Sequence, residues 1–307
     1  MSSSRIVQVS ITISGLTRLF GGDPAAVLDA ARAADEAGIH QLVLPDHVVM
    51  GSRVDRYPFG RFPYGPEEPW IEPLTMLAAM AAVTRRVRLA TGVLIAPLRP
   101  AVLLAKTAAT LDVLSDGRLD LGVGTGWQRE EFDAIEVPFT GRTARMEDTV
   151  RACQALWTHE PPVSFSSPTV SFEDLWCEPR PTQPGGIPVW FGGGANEATA
   201  RRVAELGAGW MPIGLMPRDE LARAIELLRS AFENVGRDPA TLAVRAGIAA
   251  VTHDDRHLDL DRTLDPVPDL GVMGVTMVSL GLGRFLRDAD GVEQFFAEVG
   301  AAFRGSA

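Results

Sequence analysis

Short apolar runs alternate with segments of helical spacing along the sequence, and this alternation limits the possible folds more than any other feature. Eight apolar runs each precede a stretch whose apolar residues recur at helical period. Continuously apolar strands are typical of a parallel sheet covered by helices. Eight such units in 307 residues predict a closed (β/α)8 TIM barrel that forms one domain over 1–307. The strands are predicted over 5–13, 40–45, 87–95, 118–124, 187–193, 209–214, 241–251 and 275–281.

The predicted helices have recognisable ends. The first has Asp23 as N-cap, Pro24 at its first helical position and Gly38 after its last turn. Another also starts with a proline, Pro100, and stops at a glycine, Gly117. The segment before the eighth strand has the weakest helical pattern. The helices are predicted over 23–38, 72–84, 100–117, 142–157, 196–207, 218–236, 257–271 and 291–303.

Two insertions interrupt this alternation of strands and helices. Residues 48–71, between the second strand and its helix, carry five aromatic residues and four prolines. Residues 158–186, between the fourth helix and the fifth strand, include a short hairpin-like piece. Long insertions in a compact domain are usually functional lids or disordered linkers. The aromatic content of 48–71 favours an ordered lid, and the alternative is a contact surface in an oligomer.

Composition narrows the class of protein. The net charge of −10 without a basic stripe argues against nucleic acid as a partner and suits an enzyme acting on small molecules. Cys153 and Cys177 stand far apart with no metal-binding spacing, which indicates a reduced, cytoplasmic protein. The opening residues lack a signal-peptide pattern, and no apolar stretch approaches the roughly 20 residues of a membrane span. We therefore expect no membrane partner.

The candidate active site is expected where the strands end, because catalytic groups of this fold lie at the carboxyl ends of the strands. These ends are rich in glycine, aromatic and small residues, and they contain no metal-ligand cluster, nucleophile elbow or P-loop. Such a site suits a planar cofactor that brings its own chemistry. The segments are Pro45-Asp46-His47, Thr91-Gly92-Val93, 122–127 (GVGTGW), 191–194 (FGGG) and 210–213 (WMPI).

Three consecutive glycines, Gly192 to Gly194, lie between an apolar run and a helix that starts near Asn196. Bare backbone N–H groups at a helix N-terminus form an anion cradle, which predicts a phosphate site with no room for a side chain. Simpler explanations exist for each feature. The glycines could form a tight turn, Asp46-His47 a helix cap and a surface histidine, and Gly92 a bulge. Trp127, Trp190 and Trp210 could belong to the core.

Four segments together resemble the bacterial luciferase-like flavin monooxygenases, and specifically their coenzyme F420-dependent oxidoreductase branch. Each motif alone is weak, and the resemblance depends on their joint order and spacing from the second strand to about residue 214. The segments are LVLPDHVVM, WIEPLTMLAAMAAVTRRVRLATGV, LLAKTAATLDVLSDGRLDLGVGTGWQREEF and PVWFGGGANEATARRVAELGAGW.

The resemblance implies a deazaflavin cofactor lying across the strand ends. Asp46 and His47 would contact it near the ring, with His47 as the catalytic residue. Gly92-Val93 would form the family's bulge behind the central ring, often a non-prolyl cis peptide. Thr125, Gly126 and the three glycines would hold the ribityl chain and phosphate. The implied cofactor contacts are thus Asp46, His47, Thr91, Gly92, Val93, Thr125, Gly126, Gly192, Gly193 and Gly194, with no metal ligand.

One departure from the family concerns the substrate. In the sugar-phosphate dehydrogenase branch an acidic residue follows the GTG turn, whereas this chain has Trp127. The chain also has a single lysine, Lys106, so it lacks a lysine-rich site for a substrate phosphate. Both observations argue against a sugar phosphate, and Trp127 is expected to form a wall of an apolar substrate pocket.

Three functions are compatible with these residues. The first is an F420-dependent oxidoreductase that transfers a hydride between the deazaflavin C5 and a small, largely apolar organic substrate. The second is an FMN-dependent monooxygenase that uses reduced flavin and oxygen. The third, a non-catalytic binding protein, is less compatible with the intact Asp46-His47, Gly92 and glycine cradle. The wide apolar faces of the helices at 72–83 and 100–114 further predict a homodimer.

Overall fold

Eight parallel strands close into a barrel in the computed structural model, which describes residues 6–252, 258–286 and 288–304. Residue 5, the first of the predicted strand over 5–13, lies outside these ranges. So does residue 257, the first of the predicted helix over 257–271. The strands are β1 Gln8–Thr12, β2 Gln41–Leu44, β3 Arg88–Thr91, β4 Leu94–Ile95, β5 Leu119–Gly124, β6 Val163–Ser166, β7 Ser171–Leu175, β8 Val189–Gly192, β9 Gly209–Met211, β10 Ala243–Gly247 and β11 Met277–Gly281.

The hydrogen-bonding order of the strands confirms the predicted TIM barrel. The order is β3, β2, β1, β11, β10, β9, β8 and β5, and β3 pairs with β5 to close the ring. Every one of these pairings is parallel. The carboxyl ends of all eight strands therefore meet at one rim, where sequence reasoning expects the site.

Strand three is shorter than predicted. The predicted strand over 87–95 is divided into β3 and β4 by Gly92-Val93, whose peptide bond is cis as the resemblance implies. β3 pairs with both β2 and β5, whereas β4 pairs only with the last residues of β5. The chain therefore leaves the barrel wall at Gly92 and rejoins only β5, which places the Gly92-Val93 peptide at the rim.

The helices surround the barrel, and most of them match the sequence prediction. Helix 23–38 begins at Ala25 rather than Pro24, although the Asp23 carboxylate still accepts the Ala25 N–H at 2.8 Å. The expected helix over 257–271 is two short helices separated at Pro266. The helices are α1 Leu16–Phe20, α2 Ala25–Ala37, α3 Pro73–Val83, α4 Ala101–Leu114, α5 Arg129–Ala134, α6 Arg142–Thr158, α7 Glu197–Leu206, α8 Arg218–Asn234, α9 Leu260–Leu264, α10 Val267–Met273, α11 Leu282–Phe285 and α12 Val292–Arg304.

Sequence reasoning missed three short helices, α1, α5 and α11, because segments of four to six residues are too short to show a helical period. The hairpin expected in 158–186 is present as the antiparallel pair β6 and β7. Within the described residues, no helix combines the length and apolar character needed to cross a membrane.

Candidate active site

A cavity of about 700 Å³ lies where β2, β3, β5, β8 and β9 end, and we call it the first lobe. Thr91 does not reach it, since this residue is fully buried and its hydroxyl donates to the Gly122 carbonyl oxygen at 2.7 Å. The lobe brings together the other residues that the resemblance implies, namely Asp46, His47, Gly92, Val93, Thr125, Gly126, Gly192, Gly193 and Gly194.

His47 is held in one orientation by a buried carboxylate. Its Nδ1 lies 3.1 Å from Oε2 of Glu131, which has no exposed surface. The other oxygen of Glu131 accepts the backbone N–H of Val48 at 2.9 Å, so the carboxylate is fixed as well. A carboxylate facing Nδ1 favours a proton on that nitrogen. Nε2 is therefore the ring nitrogen left to exchange a proton with a ligand.

The 48–71 insertion lines the outer side of the first lobe with aromatic rings. The His47 imidazole packs edge-on against Trp70, with ring centroids 4.6 Å apart, and against Phe62 at 5.8 Å. Phe62 also lies 5.5 Å from Trp127, the residue expected to wall the substrate pocket. The indole N–H of Trp70 is buried without an acceptor. The wall beside His47 is thus formed by aromatic rings.

The Asp46 carboxylate is bound by other groups of the protein. It forms a two-point ion pair with Arg99, at 2.6 Å and 2.9 Å, and its Oδ2 accepts the Ile95 backbone N–H at 2.8 Å. These contacts join the end of β2 to β4, directly after the cis peptide. Burial lowers the pKa of Arg99, but the carboxylates of Asp46 and Glu72 raise it by more. The Asp46 side chain therefore fixes the backbone around Gly92-Val93.

Packing around Gly92 and Val93 requires glycine at several positions. A Cβ on Gly92 would lie 2.3 Å from Cγ1 of Val43 and 2.8 Å from Nη2 of Arg245. The Val93 side chain occupies the space that a Cβ would need on Gly124 and Gly192, at 2.5 Å and 2.6 Å. Glycine at these positions lets β3, β5 and β8 converge on Val93, which forms part of the floor of the first lobe.

Sequence analysis predicts that Gly193 and Gly194 leave no room for a side chain, and this prediction is wrong, because no protein atom occupies that space. A Cβ on either residue would meet no protein atom within 4 Å. Gly193 has φ of +153°, which side chains rarely adopt. Its N–H donates to the Met211 carbonyl oxygen at 3.1 Å, so it is not free for an anion. The exposed Gly194 and the N-terminus of α7 remain, and Asn196 caps that helix at 2.9 Å.

Two arginines complete this end of the lobe. Arg202 lies on the first turns of α7 and forms a buried ion pair with Glu147 at 2.7 Å. Arg142 donates to the Gly126 carbonyl oxygen at 3.2 Å and lies over the Phe139 ring, without an ion pair to any described carboxylate. Burial and the nearby Arg129 lower the pKa of Arg142. A helix N-terminus, exposed glycine backbone and an arginine without a carboxylate partner fit a phosphate group.

A second lobe of about 660 Å³ adjoins the first at Gly92 and Arg245. Arg245 lies on β10 and is 9% exposed, and its Nη1 donates to Gln41 at 3.2 Å. Gln41 in turn donates to Asp120, which pairs with Arg88. Burial lowers the pKa of Arg245 to about 10, although Asp120 opposes this shift. Arg245 is therefore a buried cation at the junction of the lobes.

Sequence reasoning missed Glu131, Arg142 and Arg245. Arg245 carries a detectable signal, because it is the only charged residue within the apolar run TLAVRAGIAAV. Glu131 and Arg142 carry none, because they lie among other charged residues of helix termini. Among the described residues, no cluster of three or more His, Cys, Asp or Glu side chains is arranged to hold a metal ion.

The fold is a TIM barrel with a cavity at the carboxyl ends of its strands, and comparison with known proteins gives the family. A family model described as luciferase-like monooxygenase matches residues 8–267, and the chain belongs to this family. An uncharacterized protein of Mycobacterium tuberculosis is 32% identical over 267 residues, 85% of this chain and 88% of the relative. A phthiodiolone/phenolphthiodiolone dimycocerosates ketoreductase of the same species is 31% identical over 66% of this chain and 54% of the relative.

Solved structures share the fold at lower identity. Monooxygenase RslO1 from Streptomyces bottropensis has a TM-score of 0.72 at 23% identity, covering 98% of both chains. The coenzyme F420-dependent tetrahydromethanopterin reductase of Methanopyrus kandleri has 0.67 at 16%, covering 97% and 98%. The oxygenating constituent of 3,6-diketocamphane monooxygenase from Pseudomonas putida, in complex with FMN, has 0.62 at 17%, covering 82% and 69%. Both cofactors thus occur on this fold.

Proposed function

We propose that the chain is an F420-dependent oxidoreductase that transfers a hydride between the deazaflavin C5 and a small organic substrate with a largely apolar body. The observation that supports this most is the first lobe itself. One cavity joins a phosphate-compatible cradle to an aromatic wall and a histidine backed by a buried carboxylate. The family gives the class, a luciferase-like oxidoreductase or monooxygenase. The F420-dependent neighbour supports a deazaflavin cofactor.

The residues of the first lobe divide between the parts of such a cofactor. The exposed backbone of Gly194, the N-terminus of α7 and Arg142 would hold the phosphate, and Thr125-Gly126 would contact the ribityl chain. Val93 would lie against the ring. Asp46 would act through Arg99 and Ile95, by fixing the backbone beneath the ring. Coenzyme F420 supplies, when bound, a carrier of two electrons and a proton that reacts at C5.

His47 supplies the proton that accompanies the hydride. A carbonyl oxygen that becomes a hydroxyl needs one proton, and an alcohol that is oxidised must lose one. His47 would exchange this proton through Nε2, while Glu131 holds Nδ1 and balances the charge of the imidazolium. The rings of Phe62, Trp70 and Trp127 exclude water from the same space, which protects the hydride acceptor and strengthens the polar contacts.

An FMN-dependent monooxygenase is the second candidate. Its support is the likeness to monooxygenase RslO1 and to the FMN-bound diketocamphane enzyme. The same cradle would hold the FMN phosphate, since both cofactors carry a phosphate on a ribityl chain. Titration of the purified protein with F420 and with FMN separates the two candidates. An F420 enzyme binds F420 more tightly, and the reverse preference contradicts our first proposal.

The placement of the phosphate is tested by two substitutions at one position. Both Gly193→Asp and Gly193→Asn impose the same strain at φ +153°, and only the first adds a charge. The added carboxylate should repel the phosphate and disrupt one or two of its charge-assisted hydrogen bonds to neighbouring groups, which would weaken binding of either cofactor by about a hundredfold in Gly193→Asp. Gly193→Asn should lose much less. Melting temperatures control for folding, and equal affinity of Gly193→Asp and the parent would place the phosphate elsewhere.

We further propose that the protein is a cytoplasmic homodimer. Cys153 and Cys177 are free and buried, as is typical of a reducing compartment. The apolar face of α3 is largely used inside the chain, where Leu77 and Met80 are fully buried. Of these two helices, α4 carries the exposed large apolar residues, Val102, Leu103, Val113 and Leu114, so this helix is the proposed centre of the dimer interface.

A further inference from the structure

The second lobe differs in charge from the rest of the molecule. The chain carries a net charge of −10, yet the described residues that line this lobe include three arginines and one carboxylate. The carboxylate is Glu68, whose Oε1 accepts the Thr17 backbone N–H at 3.1 Å. Arg18 and Arg284 are exposed at the outer end, and Arg245 lies at the inner end. A positively charged compartment in an acidic protein favours an anionic ligand.

Arg245 shows where such a ligand would be held. Its guanidinium has five N–H donors, and the one described acceptor is Oε1 of Gln41. No described carboxylate lies within ion-pair distance, although the side chain is nine-tenths buried. Nη2 faces the junction of the lobes, 2.8 Å from the position of a Cβ on Gly92. Burying a charge without a partner costs free energy, and an oxoanion would supply the missing acceptors.

The two lobes have complementary character. The first lobe contains the phosphate-compatible cradle and the aromatic wall beside His47. The second begins beside Gly92, at the same rim, and contains Arg18, Arg245 and Arg284. A ligand that spans the junction would place an apolar portion against the aromatic rings and an anionic end on Arg245. The cofactor phosphate and a second anion would then be bound at separate places.

We propose that the second lobe binds a carboxylate of the substrate, held by Arg245 and attracted by Arg18 and Arg284, so that the substrate is an amphipathic organic acid. This inference rests on the proposed function, because a bound organic acid is a substrate only if the chain is the proposed oxidoreductase. The apolar body expected for the substrate is then one end of the molecule, and the carboxylate is the other. A guanidinium presents two parallel N–H groups that match the two oxygens of a carboxylate. The acidic side chain of F420 also carries carboxylates, so it is the alternative ligand for Arg245 that the test must distinguish from a substrate.

The test uses phenylacetate and its neutral analogue phenylacetamide as probes of the protein without cofactor. Isothermal titration calorimetry should show that the parent binds phenylacetate at least about tenfold more tightly than phenylacetamide, as expected for one charge-assisted contact. Arg245→Met should remove this preference, and Arg245→Lys should retain part of it. Absence of any preference in the parent, or an unchanged preference in Arg245→Met, would overturn the proposal.

Controls separate binding from folding and the substrate from the cofactor. Arg245→Met should keep or raise the melting temperature, because it removes a buried charge that has no carboxylate partner. The exposed pair Arg18→Gln and Arg284→Gln should fold normally and weaken phenylacetate binding by a smaller factor. Phenylacetate should still bind in the presence of saturating F420 or FMN. If F420 displaces it and FMN does not, the lobe binds the acidic side chain of the cofactor, and the substrate assignment fails.

The two proposals fail separately. The probes need no bound cofactor, so Gly193→Asp should retain the preference for phenylacetate even where it loses cofactor affinity. If the protein binds neither cofactor but still prefers phenylacetate, the carboxylate site is supported and the proposed redox function is contradicted.

Discussion

At the scale of single residues, the contact between His47 and Glu131 is the most informative in the site, because it leaves one ring nitrogen for chemistry. His47→Ala should lower the turnover number of hydride transfer by about 10²- to 10⁴-fold, the usual contribution of a positioned proton donor. The dissociation constant for the cofactor should change far less, because the phosphate cradle is intact. Steady-state kinetics and cofactor titration of the same preparation measure both quantities.

Glu131→Gln is the matched control for this prediction. It keeps a hydrogen-bond acceptor at Nδ1 of His47 and removes the negative charge, so it should lose less activity than His47→Ala and alter the pH profile of turnover. A loss of cofactor affinity equal to the loss of turnover in His47→Ala would assign His47 to binding instead.

Gly92 illustrates a second residue-scale constraint, imposed by packing. Gly92→Ala places a methyl group 2.3 Å from Val43 and 2.8 Å from Arg245, so neighbouring side chains must shift. Overpacking of this kind should lower the free energy of unfolding by about 1–3 kcal/mol. The matched control is Gly194→Ala, where a Cβ would meet no atom within 4 Å. Urea unfolding of both variants measures the difference, and equal stabilities would contradict the packing argument.

The residues that sequence reasoning found and missed differ in kind. Gly92 and the glycines after β8 interrupt apolar runs, so they can be recognised from the sequence alone. The partners of His47 and Asp46 are not, because Glu131 and Arg99 lie 84 and 53 positions away in sequence. Helix α5, which carries Glu131, has six residues and no readable period. Interactions between strand ends become visible only when the barrel is closed.

At the scale of secondary-structure elements, Asp35 joins α2 to the start of β3. Its carboxylate accepts the backbone N–H groups of Arg85, Arg86 and Val87, at 3.1, 2.7 and 2.7 Å. Burial raises the pKa of Asp35, but these N–H groups and the Arg86 charge lower it by more. A pKa that is lower in the folded state adds stability above the unfolded pKa of about 3.9, and this stability is lost as the pH falls toward the folded pKa.

Asp35→Asn should therefore reduce the free energy of unfolding at pH 7 by about 1–3 kcal/mol, the usual range for a buried charge-assisted hydrogen bond. The difference from the parent should shrink as the pH falls below about 4. Asp29→Asn on the same helix is the control, since Asp29 is 78% exposed and its ion pair among the described residues is with Arg32 at the surface. Urea unfolding between pH 7 and pH 3 checks this, and a constant difference across that range would exclude the linkage.

The 48–71 insertion shows how far element-level prediction extends. Its composition indicated an ordered, functional segment, and the alternatives were a lid and an oligomer contact. In the structure, Tyr57, Phe62 and Trp70 line the first lobe, which agrees with a covering role. The contacts of these rings with His47 could not be derived from sequence, because the segment has little regular structure apart from the 3-10 turn at Val54–Arg56.

At the scale of the whole molecule, the barrel was predictable because its strands are apolar and numerous enough to close. Strand three was predicted too long, since the run 87–95 is apolar on both sides of Gly92 and only the cis peptide divides it. The second lobe was not predictable at all. Its charge arises from Arg18, Arg245 and Arg284, which are scattered over most of the chain and meet only at the rim.

The surface of α4 carries the last prediction. Leu103 and Leu114 are each 60% exposed, and Trp176 in the 158–186 insertion is 69% exposed. An exposed apolar patch of this kind marks an interaction surface, and we propose a second copy of the chain as its partner. Light scattering at micromolar concentration should then give twice the mass of 33.0 kDa. A monomeric mass for the parent would contradict the dimer.

The interface itself is tested by charge. Leu103→Glu combined with Leu114→Glu should convert the dimer to a monomer, because burying two unpaired carboxylates on each side costs more than the contact stabilises. Val272→Glu is the matched control, since Val272 is 82% exposed on α10 and the change also replaces an exposed apolar residue by a carboxylate. The control should remain dimeric. Dissociation by Val272→Glu but not by the α4 variant would move the interface to α10, and unchanged circular dichroism in both variants shows that the barrel itself is intact.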